Sequence, residues 1–226
     1  MVFYLLPGSG AISSACIQRR DILEAIRKGE VSFGEFSDLR EKIVELYNAG
    51  RECLAPAWRR FRGRFWDELC VWALPGSIVK NIEERGIVFS PLLGPVKAGD
   101  PLPAQAVRWK EPMGSRTLKD VWGHRIKTLT ARLFDGAVVF DFLRNEEREL
   151  VSFPPTALRA VFEYYRKGKR VINSLAHRAY TLRYILEMEV TLEDLDRINF
   201  LDYRVSEVRK EENSLRVIMV SEGRYI

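Results

Sequence analysis

Short apolar runs separated by amphipathic stretches constrain this chain more than any other feature of it. Val2–Leu6 is a continuous apolar run, residues 87–93 and 137–142 are mainly apolar, and all three are too short for ordinary helices, as strands covered on both faces are. Between them, apolar residues recur at spacings of three and four. Ile22, Leu23 and Ile26, then Phe36, Leu39, Ile43, Leu46 and Tyr47, mark buried faces of helices over 17–28 and 33–49, closed by Gly29 and Gly50. Ser77 is placed to cap a helix running to Arg85 and Gly86, and Thr117 with Asp120 to cap a longer one. Strand, helix, strand in this order predicts a mixed α/β (α+β) fold, with a central, largely buried mixed sheet flanked by helices.

The remaining segments fit the same scheme. Residues 69–74 and 150–153 read as further strands, whereas 157–165 fits helix and strand equally, as short apolar runs do. Thr191 caps a short helical turn, and 203–209 with 215–220 form a hairpin, so a helical element and a β-hairpin end the chain. Residues 94–112 are rich in Pro and Gly and too long for a plain connector, which is where functional loops are found. Gly123 interrupts the helix that follows. A mid-helix glycine costs about 1 kcal/mol relative to Ala, so another backbone is expected close against it.

At 226 residues, 46% hydrophobic and 30% charged, the chain suits one domain over 1–226 with a proper core, and no stretch has the composition of a disordered segment. No apolar run reaches the roughly 18 residues of a membrane span, and the opening residues lack a basic leader. A cytoplasmic protein without membrane contact is expected. Cys16, Cys53 and Cys70 are odd in number and far apart, without metal-ligand spacing, so reduced thiols and no metal are expected. The run Pro7-Gly8-Ser9-Gly10 completes no phosphate-binding glycine motif, and no cofactor is implied.

Charge is distributed unevenly. Residues 164–186 carry Arg166, Lys167, Lys169, Arg170, Arg178 and Arg183 without one carboxylate. The second half of that stretch has helical periodicity, which sets Lys169 and Arg170 where a helix begins and free backbone N–H groups add to the positive field. Residues 58–66 alternate Arg59, Arg60, Arg62 and Arg64 with Trp58, Phe61, Phe65 and Trp66. Two readings stand: a surface that neutralises phosphates and stacks bases, or the core edge of a helix covered by arginine stems. Catalytic groups are sparse. His124 and His177 have no neighbouring nucleophile in sequence; Asp100, Asp141 and Glu146 or Glu147 are the available acid/base groups.

Several of these segments together resemble the peroxide stress protein YaaA family. Leu118 to Gly123, LKDVWG, resembles its Leu-Tyr-x-Phe-Trp-Gly segment, with Trp122 and Gly123 in register. Gly94, Lys97 and Asp100 are similar to the Gly, basic residue and Asp of the preceding loop. Glu146 or Glu147 follows a strand as the family's carboxylate does, and Tyr165 to Arg170 resembles its basic Tyr-x-Lys-Lys-x-Arg-Gly stretch. The family's opening Ser-Pro-Ala-Lys is replaced here by Leu6-Pro7-Gly8-Ser9. The resemblance implies a mixed α/β fold with a positively charged cleft, duplex DNA binding through a helix-hairpin-helix-like element, and protection against peroxide.

The resulting expectation is a monomeric DNA-binding protein of the peroxide stress response. Its cleft cations would be Arg166, Lys167, Lys169 and Arg170, aided by Arg59, Arg60, Arg62, Arg64 or Arg125, with weak sequence preference. The competing expectation is an enzyme acting on a nucleotide or nucleobase, with Asp100 and Glu146 as acid/base groups.

Overall fold

In the computed structural model the chain is described over residues 1–8, 10–49 and 53–223. Ser9 and Gly50 lie outside the described residues. The first strand, β1 (Val2–Leu6), is buried along almost its whole length. Helix α1 spans only Ile22–Arg27, because Asp21 accepts the Leu23 N–H and starts it there. The residues before it are extended, with Gln18 bridged to Leu54 and Ile12 to Phe61. A 3-10 turn over Gly34–Phe36 leads into α2 (Ser37–Leu46).

After β2 (Leu54–Pro56), the arginine-aromatic stretch folds as two short helices, α3 (Ala57–Arg60) and α4 (Arg64–Leu69), parted at Gly63. Residues 69–74, expected as a strand, are not one. Leu69 ends α4, Cys70 takes a left-handed conformation, and Val71–Ala73 form a 3-10 turn that leaves Trp72 75% exposed. An apolar run this short carries no period with which to separate helix from strand. Helix α5 (Gly76–Arg85) has Pro75 at its N-cap, so Ser77 lies inside the first turn and does not cap it. Strand β3 (Gly86–Ser90) follows.

The Pro/Gly-rich stretch holds three short strands, β4 (Gly94–Lys97), β5 (Pro101–Pro103) and β6 (Pro112–Met113). Next come β7 (Arg116–Thr117) and α6 (Leu118–Leu133), which opens with the expected Thr117–Asp120 capping box. Among the described residues no backbone of another element presses on Gly123: a Cβ there would meet only the Leu150 side chain, at 3.9 Å. Strand β8 (Val138–Asp141) and the short α7 (Asn145–Arg148) follow. Residues 150–153 form no strand, and the Ser152 N–H donates to the Thr130 hydroxyl instead of to a ladder. The ambiguous 157–165 run resolves as β9 (Leu158–Arg166).

Strand β9 turns back into β10 (Lys169–Arg170) through Lys167 and Gly168, both at positive φ, the geometry of a two-residue hairpin. Lys169 and Arg170 therefore sit on a hairpin, and α8 (Leu175–Glu187) begins several residues later, so its N-terminal dipole does not back them. The chain ends in β11 (Asn199–Phe200), β12 (Tyr203–Lys210) and β13 (Ser214–Ser221).

These strands make a nine-stranded mixed sheet, ordered β11-β12-β13-β9-β8-β1-β3-β4, with β10 alongside β9. Strands β13, β9, β8, β1 and β3 are mutually parallel, while β4 and the β12-β11 side run antiparallel. The expected mixed fold is thus present: a mixed sheet with about 36% of residues helical and 28% in strands. From β1 the chain reaches β3 on one side and later β8 on the other, so the carboxyl ends of β1 and β8 flank a topological switch point. Cys16 and Cys53, expected as free thiols, are joined as a disulfide with Cα atoms 5.2 Å apart, while Cys70 remains free. Among the described residues, no helix is long and apolar enough to cross a membrane.

Candidate functional site

Outside the carboxyl ends of β1, β3 and β8 lies a crevice of roughly 350 Å³, lined by Gly8, Pro91, Trp109, Arg144 and Glu147 among others. Open α/β sheets bind ligands at such a place. Behind it, Trp66 Nε1 donates to the Pro7 carbonyl at 2.9 Å, which holds the segment that leads into Gly8. Glu147, with a side chain only 1% exposed, accepts from the Gly8 N–H at 2.7 Å and from Arg144 Nη2 at 3.0 Å. Arg144 Nη2 also donates to the Gly8 carbonyl. A Cβ on residue 8 would stand 2.9 Å from that carboxylate and 3.0 Å from the Phe89 carbonyl, so close approach requires glycine there. Burial pushes the Glu147 pKa up, an effect that Arg144 and the two backbone donors partly offset. Arg108 and Lys110 stand exposed at the rim. The crevice thus pairs a desolvated carboxylate with cations and can hold an anion or exchange a proton.

The sequence candidates divide between this crevice and other places. Glu146 is exposed at the rim; Glu147 is the buried carboxylate. Asp100 is buried elsewhere. Its oxygens accept from Ser32 N and Oγ and from Lys97 N, which closes the turn after β4. Gly94 packs directly on the Trp122 ring, so two of the motif residues contact each other in the core. Asp141 is buried between Arg148 and Arg159 and also accepts the Leu143 N–H.

The expected phosphate cations separate as well. Arg60 is fully buried, and its guanidinium donates to the carbonyls of Ser13, Ala15, Cys53 and Leu102, so it is not presented to a phosphate. Arg62 pairs with Asp67, and Arg170 with Glu163. Arg125 lies on the outer face of α6, in a depression shared with Glu35 and Arg132. Desolvation lowers the His177 pKa, and Arg64 and Arg166, remote from each other in sequence, lower it further. The His177 ring sits against Tyr164 and Tyr203, with its Nδ1 buried and unpartnered. Arg59, Arg64, Arg166, Lys167 and Lys169 have no carboxylate within ion-pair distance among the described residues.

Sequence reasoning missed the Arg144–Glu147 pair, the rim cations Arg108 and Lys110, and Trp72. The Arg-x-x-Glu spacing after a strand was the available signal for the pair. Reading 69–74 as a buried strand concealed the exposed tryptophan. No group of three or more His, Cys, Asp or Glu side chains is placed to hold a metal among the described residues.

A parallel-centred mixed sheet with a charged crevice at its switch point defines an α/β protein of the open-sheet class. A family model, peroxide stress protein YaaA, matches residues 26–209, and the chain belongs to that family. No curated protein matches it.

Proposed function

We propose that this member of the peroxide stress family binds duplex DNA in the cytoplasm, as a monomer, through the positive surface where Arg64 and Arg166 meet His177. Lys167 and Lys169 on the β9–β10 hairpin extend that surface, and Arg59 adds a cation on α3. The observation that carries the reading is the packing of α4 on α8 and of the His177 ring on Tyr164 of β9, which brings Arg64 and Arg166 to the same histidine without a carboxylate to neutralise either among the described residues. Cations left unpaired in this way attract phosphate oxygens and release counterions on binding. Such contacts position a backbone and carry little sequence choice. The expected helix-hairpin-helix-like element has no counterpart at this basic stretch, where a β-hairpin (β9–β10) precedes a single helix, α8, so on this reading the hairpin cations make the contact.

The test is duplex affinity measured across a salt series. Binding should fall steeply with salt, and Arg64→Ala and Arg166→Ala should each weaken binding on unrelated sequences alike and flatten the slope by about one unit. An affinity indifferent to salt, or untouched by both substitutions, sinks the reading.

The buried Glu147 favours a second reading, an enzyme acting on a nucleotide in the crevice. Asp100 and Glu146, the acid/base groups first expected, give way on this reading to Glu147, since Asp100 is occupied by Ser32 and Lys97. Turnover from a nucleotide panel that Glu147→Gln abolishes supports it; turnover that survives Glu147→Gln removes it.

A further inference from the structure

The aromatic residues of α3 and α4 play no part in the duplex contact just described, yet they form a cavity of their own. It measures about 420 Å³, within the range of roughly 300–1,000 Å³ typical of small-ligand sites, and its walls include Trp58, Arg59, Phe61, Arg62, Trp66 and Trp72. Two of the indoles are fixed. Trp58 Nε1 donates to Glu83 at 2.9 Å, Trp66 Nε1 donates to Pro7, and Phe61 stacks on Trp66 with ring centroids 5.9 Å apart.

Trp72 differs from both. It is 75% exposed, and among the described residues no ring packs against it and no hydrogen bond takes its N–H. Its turn follows Cys70, a non-glycine residue held at φ 53°, a conformation that costs free energy and is kept where surrounding structure enforces it. A tryptophan left in water forfeits a large area of apolar burial unless a partner covers it. Arg59, exposed beside it, has no carboxylate partner among the described residues, and Arg62 shares its charge with Asp67 alone. The occupant therefore needs a flat π-face for the indole and a negative charge for the guanidinium.

We infer that this cavity holds an unstacked nucleobase of single-stranded DNA, stacked on Trp72, with the adjoining phosphate on Arg59. The inference deepens the DNA-binding reading and rests on it. Bases in an intact duplex hide their faces in the stack, so only a single-stranded or opened segment presents one. The site would give a duplex-binding protein a second hold, on unpaired strands, that shares Arg59 with the duplex surface.

The test measures binding of the full chain, at fixed low salt, to a labelled oligodeoxythymidylate, to an abasic strand of equal length and charge, and to a duplex. Trp72→Ala should weaken oligodeoxythymidylate binding by about 5- to 150-fold, the factor that corresponds to one stacked base. Trp72→Phe should retain most of the affinity, while duplex and abasic-strand binding should be unchanged by either substitution. Trp72 is exposed, so these variants are expected to fold as the parent does. The inference is overturned if Trp72→Ala binds the oligodeoxythymidylate like the parent, or if the abasic strand binds as tightly as the base-bearing one. With duplex binding intact, either result removes the base site alone. Base-dependent binding without any duplex affinity removes the duplex reading alone, and no binding of any probe removes both.

Discussion

Gly94 and Trp122 illustrate how two residues joined only by a sequence motif become one contact. Gly94 has φ +69°, and a Cβ there would come within 2.4 Å of the Trp122 ring, which is fully buried. Gly94→Ala combines that overlap with a left-handed backbone and should destabilise by about 2–4 kcal/mol in urea unfolding. Gly123, one residue beyond the tryptophan, behaves oppositely. Its nearest neighbour stands 3.9 Å from a built Cβ in the interior of α6, so Gly123→Ala should stabilise by about 1 kcal/mol. A Gly123→Ala variant less stable than the parent would show that the open space is needed. The same scale explains why arginines are poor guides to a surface. Arg40 and Arg60 are both fully buried, satisfied mainly by backbone carbonyls, and burial lowers the Arg40 pKa to about 10.

Two elements, α4 and α8, bring the interior and the proposed contact surface together. His177 on α8 faces Arg64 of α4, Arg166 and Tyr164 of β9, and Tyr203 of β12. Desolvation and then the two arginines depress its pKa below the usual value of about 6.5. A base with a depressed folded pKa binds a proton less readily in the folded state than in the unfolded one. The stability contributed by neutral His177 is therefore complete above about pH 6.5 and is lost as pH falls from there toward the depressed value. Thermal melts between neutral and mildly acidic pH should show that loss, and His177→Gln should reduce it. If the two chains keep parallel melting profiles over that window, His177 is not titrating as described. On the hairpin side, positive φ at Lys167 and Gly168 builds a two-residue turn that carries its cations at the tip, where they reach outward on long, flexible stems.

For the whole molecule, the formal charge of +5 is too small to bind DNA by itself, so affinity should depend on where the unpaired cations stand. Substituting Arg125 or Arg132 on the outer face of α6 removes the same charge as substituting Arg64 or Arg166 and should leave duplex affinity nearly unchanged. Equal losses from both sets would mean that net charge alone drives binding. The sheet organises this geometry: β9 pairs with β8 on one side and β13 on the other, which places the basic hairpin at one end of the parallel block.

Sequence alone determined β1, β3 and β8 of the parallel block and the helices with an apolar face, because burial on two faces leaves a mainly apolar run and burial on one stripe leaves a period; β9, in the same block, it left open between helix and strand. Val2–Leu6, the Thr117–Asp120 box and the terminal hairpin were legible in that way. Only the tertiary structure decided which charges are available. Arg60 and Arg64 have the same composition nearby, yet one is enclosed by carbonyls from remote loops and the other faces His177. It also decided that a 3-10 turn over Val71–Ala73 exposes Trp72 while Leu69, Val71 and Leu74 stay buried, and that Glu147 rather than Glu146 is buried in the crevice. Partners supplied by distant segments set desolvation and pairing, and nothing local in the chain encodes them.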